Sequence, residues 1–125
     1  MKVKWTLFRI AMLLFLLTFA GCSSSQFPSG EFTSQLEGEE IRLRFDEDGN
    51  FMILRNGREY AEGTYSVEGN QLTWLTDSSC AAPNGETATY SWTLENQILT
   101  FSLVEKDSCM SRLYMLEKLP YEERP

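Results

Sequence analysis

From Gly30 onward, apolar and polar side chains alternate with a period of two, and turn-forming residues interrupt the alternation about every ten residues, the spacing of short antiparallel strands. Ile41, Leu43 and Phe45 point one way while Arg42 and Arg44 point the other, and Asp46 to Asn50 turns the chain into Phe51 to Leu54. Asn56-Gly57 reverses it again, because Asn and Gly tolerate the positive φ of a type I′ turn. Glu59 to Val67 follows with Gly63, Tyr65 and Val67 on one face, and Glu68-Gly69-Asn70 leads into Gln71 to Thr76 with Leu72 and Trp74 on one face. Beyond an irregular stretch from Asp77 to Glu86, Tyr90, Trp92 and Leu94 alternate with Ser91 and Thr93. Glu95-Asn96 then turns into Leu99, Phe101 and Leu103. With Glu31 to Thr33 opening the series and Arg112 to Leu116 as its last member, eight strands are expected. No stretch of ten or more residues in this part shows helical spacing, so no helix is expected. Eight short strands in sequence order close into an antiparallel up-and-down barrel, which removes exposed strand edges; a sandwich is the alternative. The all-β domain is expected over residues 30–119, with 120–125 as an exposed tail.

The N-terminus follows a different pattern. Lys2, Lys4 and Arg9 precede an apolar run from Ile10 to Ala20, the charge-then-apolar order of a signal peptide over residues 1–21. A membrane span needs about twenty apolar residues, and Arg9 stops this run from reaching that length. Phe19-Ala20-Gly21-Cys22 resembles the lipobox of bacterial lipoproteins, with Phe19 where Leu is usual. The resemblance implies that the Cys22 thiol accepts a diacylglycerol before cleavage and that the new N-terminus gains a further acyl chain such as palmitate. An ordinary secretory signal cut nearby is the alternative. Each buried methylene contributes about 0.8 kcal/mol, so a triacylated cysteine is a permanent anchor. Residues 22–29 then read as the acylated cysteine and a flexible tether. Ser23 in place of an aspartate implies sorting to the outer membrane, facing the periplasm.

Charge narrows the function classes. All eighteen acidic residues lie after the signal, against eight of the eleven basic ones, leaving the processed chain at −10. Nucleic-acid binding through phosphate neutralisation needs a basic patch, so a nucleic-acid partner is not expected. Histidine is absent, which removes Ser-His and Cys-His nucleophile pairs and His-ligated metals. Asp46-x-Asp48-Gly49-Asn50 has half of a calcium loop's ligands without the downstream glutamate, and reads as a hairpin turn. The adjacent acids Glu39-Glu40 and Glu122-Glu123 read as solvated charge rather than a glycosidase pair. No catalytic residue, metal site or cofactor is expected, and the protein is not read as an enzyme.

Cys80 and Cys109 remain once Cys22 is acylated, an even pair in an oxidising compartment. In an up-and-down barrel the loops after strands one, three, five and seven share one end, and the two cysteines lie in the loops after strands five and seven. A disulfide between them is expected, closing a loop of about thirty residues and contributing about 3–4 kcal/mol. Two free thiols, or a redox or copper site, would be the other reading, although there is no Cys-x-x-Cys spacing.

Gly63 to Trp74, Cys80, Tyr90 to Leu94 and Leu99 to Phe101 together resemble the small lipocalin-like (calycin) domains of bacterial envelope proteins, over about ninety residues. The resemblance implies a barrel whose mouth lies at the loop-rich, cysteine-bearing end. The chain lacks the terminal helix and several tens of residues of large lipocalins. Phe45, Tyr65, Trp74, Trp92 and Phe101 are the candidate lining of a pocket, or the filling of a narrow barrel. Two functions follow as expectations: binding of a small hydrophobic or amphiphilic ligand at the loop-rich end, or a protein-interaction module with a filled barrel and an acidic rim that meets an envelope protein.

Overall fold

The structure is a computed structural model that describes residues 27–80 and 87–125. Strands β1 (Gly30–Leu36), β2 (Glu39–Phe45), β3 (Asn50–Arg55), β4 (Arg58–Glu68), β5 (Gln71–Asp77), β6 (Ala88–Glu95) and β7 (Ile98–Leu103) are followed by a helix, α1 (Met110–Lys118), and a short β8 (Tyr121–Glu123). All neighbours are antiparallel and the order β1 to β8 closes on itself, giving the expected eight-stranded barrel. The period-two alternation is the reason. Ile41, Leu43 and Phe45 of β2, Phe51 and Ile53 of β3, Leu72 and Trp74 of β5, Tyr90 and Trp92 of β6, and Leu99 and Phe101 of β7 are all buried inward.

The end of the chain departs from the sequence reading. The expected eighth strand, Arg112 to Leu116, is instead the middle of α1, and the expected tail contains the closing strand. Arg112, Met115 and Leu116 are the buried residues of α1, at i, i+3 and i+4, so a helix faces all three inward where a strand would split them between two faces. β8 pairs with β7 through Ile98↔Glu122 and Leu99↔Tyr121 and with β1 through Thr33↔Glu122 and Phe32↔Glu123. Tyr121 is fully buried, and its hydroxyl donates to the Met115 carbonyl at 2.8 Å, tying strand to helix. The domain therefore runs through Glu123. It also reaches back to Phe27, whose ring packs edge-on against Phe45 and Trp92 in what was expected to be tether.

The interior is filled by rings. Trp74, with no exposed surface, lies 4.4 Å from Phe51, 5.9 Å from Phe45 and 6.4 Å from Phe101 between centroids. Phe101 in turn meets Tyr90 and Tyr121, and such edge-on pairs add to the area they bury. Gly63 makes this density possible. A Cβ there would lie 2.0 Å from the Thr76 carbonyl oxygen and 2.8 Å from the Phe51 ring, so only glycine fits where β4 crosses close to β5 beside a bulge.

Candidate functional site

The barrel has two dissimilar ends. One carries the β2–β3, β4–β5 and β6–β7 turns, which are tight. The Asp46 carboxylate accepts from the backbone N–H groups of Asp48 and Asn50 and from the Asn50 side chain. These donors hold its carboxyl below the usual range. The Tyr65 hydroxyl donates to the Asp46 carbonyl, and burial followed by the nearby Asp46 charge pushes that phenol up. Phe27 enters this end, with centroids 4.8 Å from Phe45, 5.1 Å from Trp92 and 5.8 Å from Tyr65.

The other end carries the two long connections, from β5 to β6 and from β7 to α1. Cys80 and Cys109 are joined there by a disulfide, with Cα atoms 5.5 Å apart. Each arm of the disulfide brings in an acid. Asp77 precedes Cys80, and Asp107 precedes Cys109; both are buried, and Arg112 between them has no exposed surface. The guanidinium grips Asp107 as a fork, Nε to Oδ2 at 2.8 Å and Nη2 to Oδ1 at 2.7 Å, while Nη1 lies 3.5 Å from Asp77 Oδ2. Asp107 also accepts from the Tyr90 hydroxyl at 2.5 Å and the Cys109 N–H at 2.8 Å. Asp77 Oδ1 accepts from both the N–H and the hydroxyl of Ser79.

Burial alone would raise the Asp107 carboxyl, but the bonds from Arg112, Tyr90 and the Cys109 N–H outweigh it and hold the group below the usual carboxylate range. Burial works against the Arg112 charge, and the Asp107 partner more than restores it. The Tyr90 phenol is pushed up by burial first and by Asp107 next, so it stays a neutral donor. Every acceptor of this cluster is spoken for and none of it faces solvent. Its chemistry is cohesion: it ties the segments around Asp77 and Asp107 to each other and to α1.

Of the five residues expected to line a pocket, Phe45, Trp74, Trp92 and Phe101 are buried and Tyr65 partly so. Phe45 touches Tyr65 and Trp74, Trp74 touches Phe101, and Phe27 links Trp92 to Phe45 and Tyr65. They are brought together as core, with Phe45 and Tyr65 toward the tight-turn end. Among the described residues the indole N–H groups of Trp74 and Trp92 have no hydrogen-bond partner. A depression of about 620 Å³ over β2 to β5 is lined by outward side chains such as Arg44, Met52, Glu62 and Thr76 and reaches the buried Phe51 and Asp77, and it includes none of the five. Glu39 pairs with Arg55 and Glu40 with Arg42, and Glu122 and Glu123 are exposed on β8. Among the described residues no group of three or more Cys, Asp or Glu is placed to hold a metal ion. Cys22 lies outside the described residues.

The sequence reading missed Asp77, Tyr90, Asp107 and Arg112 as a unit. The available signal was an acid shortly before each cysteine and a lone Arg at helical spacing from Met115 and Leu116. It also missed the apolar surface at this end. Met110 is 69% exposed and Tyr114 48%, one helical turn apart on α1, and Val104 in the preceding connection is 43% exposed. Compared with family models, curated proteins and solved structures, the chain matches none.

Proposed function

We propose that this chain is a bacterial envelope lipoprotein, anchored through Cys22, whose small lipocalin-like barrel serves as a protein-interaction module. Its working surface is the disulfide end. The observation that carries this reading is the outward Met110 and Tyr114 pair on α1, a helix fixed from beneath by Met115, Leu116 and the buried Arg112. Exposed apolar side chains on a rigid support cost little entropy to dock, and Tyr and Met are enriched at interfaces. The strongly acidic domain favours an envelope partner whose apolar groove is ringed by Lys or Arg, with an on-rate that falls as salt rises. The filled interior supports this reading over an internal ligand, since the rings that could line a cup pack on each other.

A second reading has one specific observation behind it. The unpartnered indole N–H groups of Trp74 and Trp92 would be satisfied by an acceptor on a small amphiphile lodged among the rings. Native mass spectrometry of the acyl-free domain, purified from its own cells, separates the two. The interaction reading expects a companion polypeptide that a Met110→Asp/Tyr114→Asp variant no longer carries. A bound small molecule, retained by that variant and without any polypeptide, would overturn it in favour of the second.

A further inference from the structure

Resting on the Cys22 anchor proposed above, we infer that the barrel stands on the membrane on its tight-turn end and carries the disulfide end outermost. Phe27 is the argument. Its ring packs at the tight-turn end against Phe45, Tyr65 and Trp92, so that end is fixed within a short covalent reach of the anchor. Four residues, Ser23 to Gln26, separate Phe27 from Cys22, a span of five Cα-to-Cα steps. At 3.3–3.6 Å per extended residue the acyl-bearing cysteine lies no more than about 18 Å from Phe27. A strand the length of β1 adds roughly 20 Å, less its tilt, between the two ends.

The exit point also resists toppling. A chain held at Phe27 among Phe45, Tyr65 and Trp92 must pass the rim of turns before the wall can touch the bilayer, and four intervening residues leave little length for that detour. The rim itself is acidic: Asp46, Glu47 and Asp48 in the first turn, Glu68 at the second and Glu95 at the third. Against anionic headgroups these carboxylates repel within a Debye length of about 8 Å, so this end hovers close to the surface and does not sink into it. The arrangement leaves Met110 and Tyr114 toward the side a periplasmic partner would approach.

The test uses acylated full-length protein in vesicles of phosphatidylethanolamine and phosphatidylglycerol. A single fluorophore is placed at Glu47→Cys or at Glu105→Cys, exposed positions at opposite ends, and energy transfer to a labelled headgroup is measured. Transfer from position 47 should exceed that from position 105 by about twofold or more, given an offset near one strand length. Phe27→Ala, which frees the exit point, should shrink the difference. Equal or reversed transfer in vesicles that carry the protein through flotation overturns the orientation alone. Full retention of the difference in Phe27→Ala overturns the role given to Phe27. Protein that fails to float overturns the anchor, and the inference with it.

Discussion

The two ends of this barrel solve the same problem, reversing the chain, by opposite means. At the tight-turn end the reversals lean mostly on near neighbours: Asp46 bonds Asp48 and Asn50, Gly69 takes a φ of 60°, and Asn96 and Gln97 take φ of 51° and 67°, with the Tyr65 hydroxyl bracing the first turn from 19 residues away. The disulfide end also has two tight turns, at Glu37-Gly38 and Asn56-Gly57, but its two long connections draw on partners distant in sequence. Cys80 reaches Cys109 across 29 residues, Tyr90 reaches Asp107 across 17, and Arg112 reaches Asp77 across 35. Local turns cost little to form and hold little else in place. Non-local bonds must first overcome chain entropy, and once made they hold together the segments they join. The cross-linked end is the one that carries the exposed face of α1.

Four perturbations would sharpen or break that contrast. The largest effect is expected from Arg112→Ala, which leaves Asp77 and Asp107 buried without their counter-charge; the cost is about 3–5 kcal/mol by urea denaturation, enough to leave a small domain barely folded. Replacing Cys80 and Cys109 by Ala should lower stability by about 3–4 kcal/mol in the same assay. An unchanged midpoint would mean that the loop is held by other contacts. Phe27→Ala, at the opposite end, should cost only about 1–2 kcal/mol because the ring is half-buried. Asp46→Ala should have the smallest effect, confined to hydrogen exchange in its own turn.

Acid provides a fifth test aimed at the same cluster. The folded-state carboxyl of Asp107 is depressed, so the unfolded chain takes up its proton first. Its contribution is complete above the unfolded value of about 3.9 and drains away as pH falls through the lower folded value. Urea midpoints at neutral pH and at pH values below about 4 should diverge in the native protein. The gap should narrow in Asp107→Asn, in which that proton is absent while the depressed Asp46 and Glu31 carboxyls still contribute; an unaltered pH dependence would place the acid sensitivity elsewhere.

What the sequence disclosed divides along the same line. Period-two alternation from Ile41 to Phe101 and turns such as Asn56-Gly57 are local signals, and the strands they announce are present. The Cys80–Cys109 bond was legible because loop parity in a meander is itself a counting rule. The stretch from Cys109 to Pro125 was not. Arg112 to Leu116 is too short to declare a period, and its helical state is decided by burial of Arg112, Met115 and Leu116 against residues far away. Tyr121 resembled a tail residue because Glu122, Glu123 and Arg124 beside it are charged, yet β7 and β1 leave a gap that only a short strand can close. The ring cluster around Trp74 was visible as composition, but whether it would enclose space or fill it depended on Gly63 letting β4 approach β5.

The central claim is that the disulfide end meets a protein partner through the α1 face. A photo-activated cross-linking residue placed at Met110, and in a separate strain at Glu47, tests it in living cells. The account predicts one discrete adduct from position 110, lost on Tyr114→Asp, and none from position 47; adducts from 47 alone, or from neither position, would contradict it.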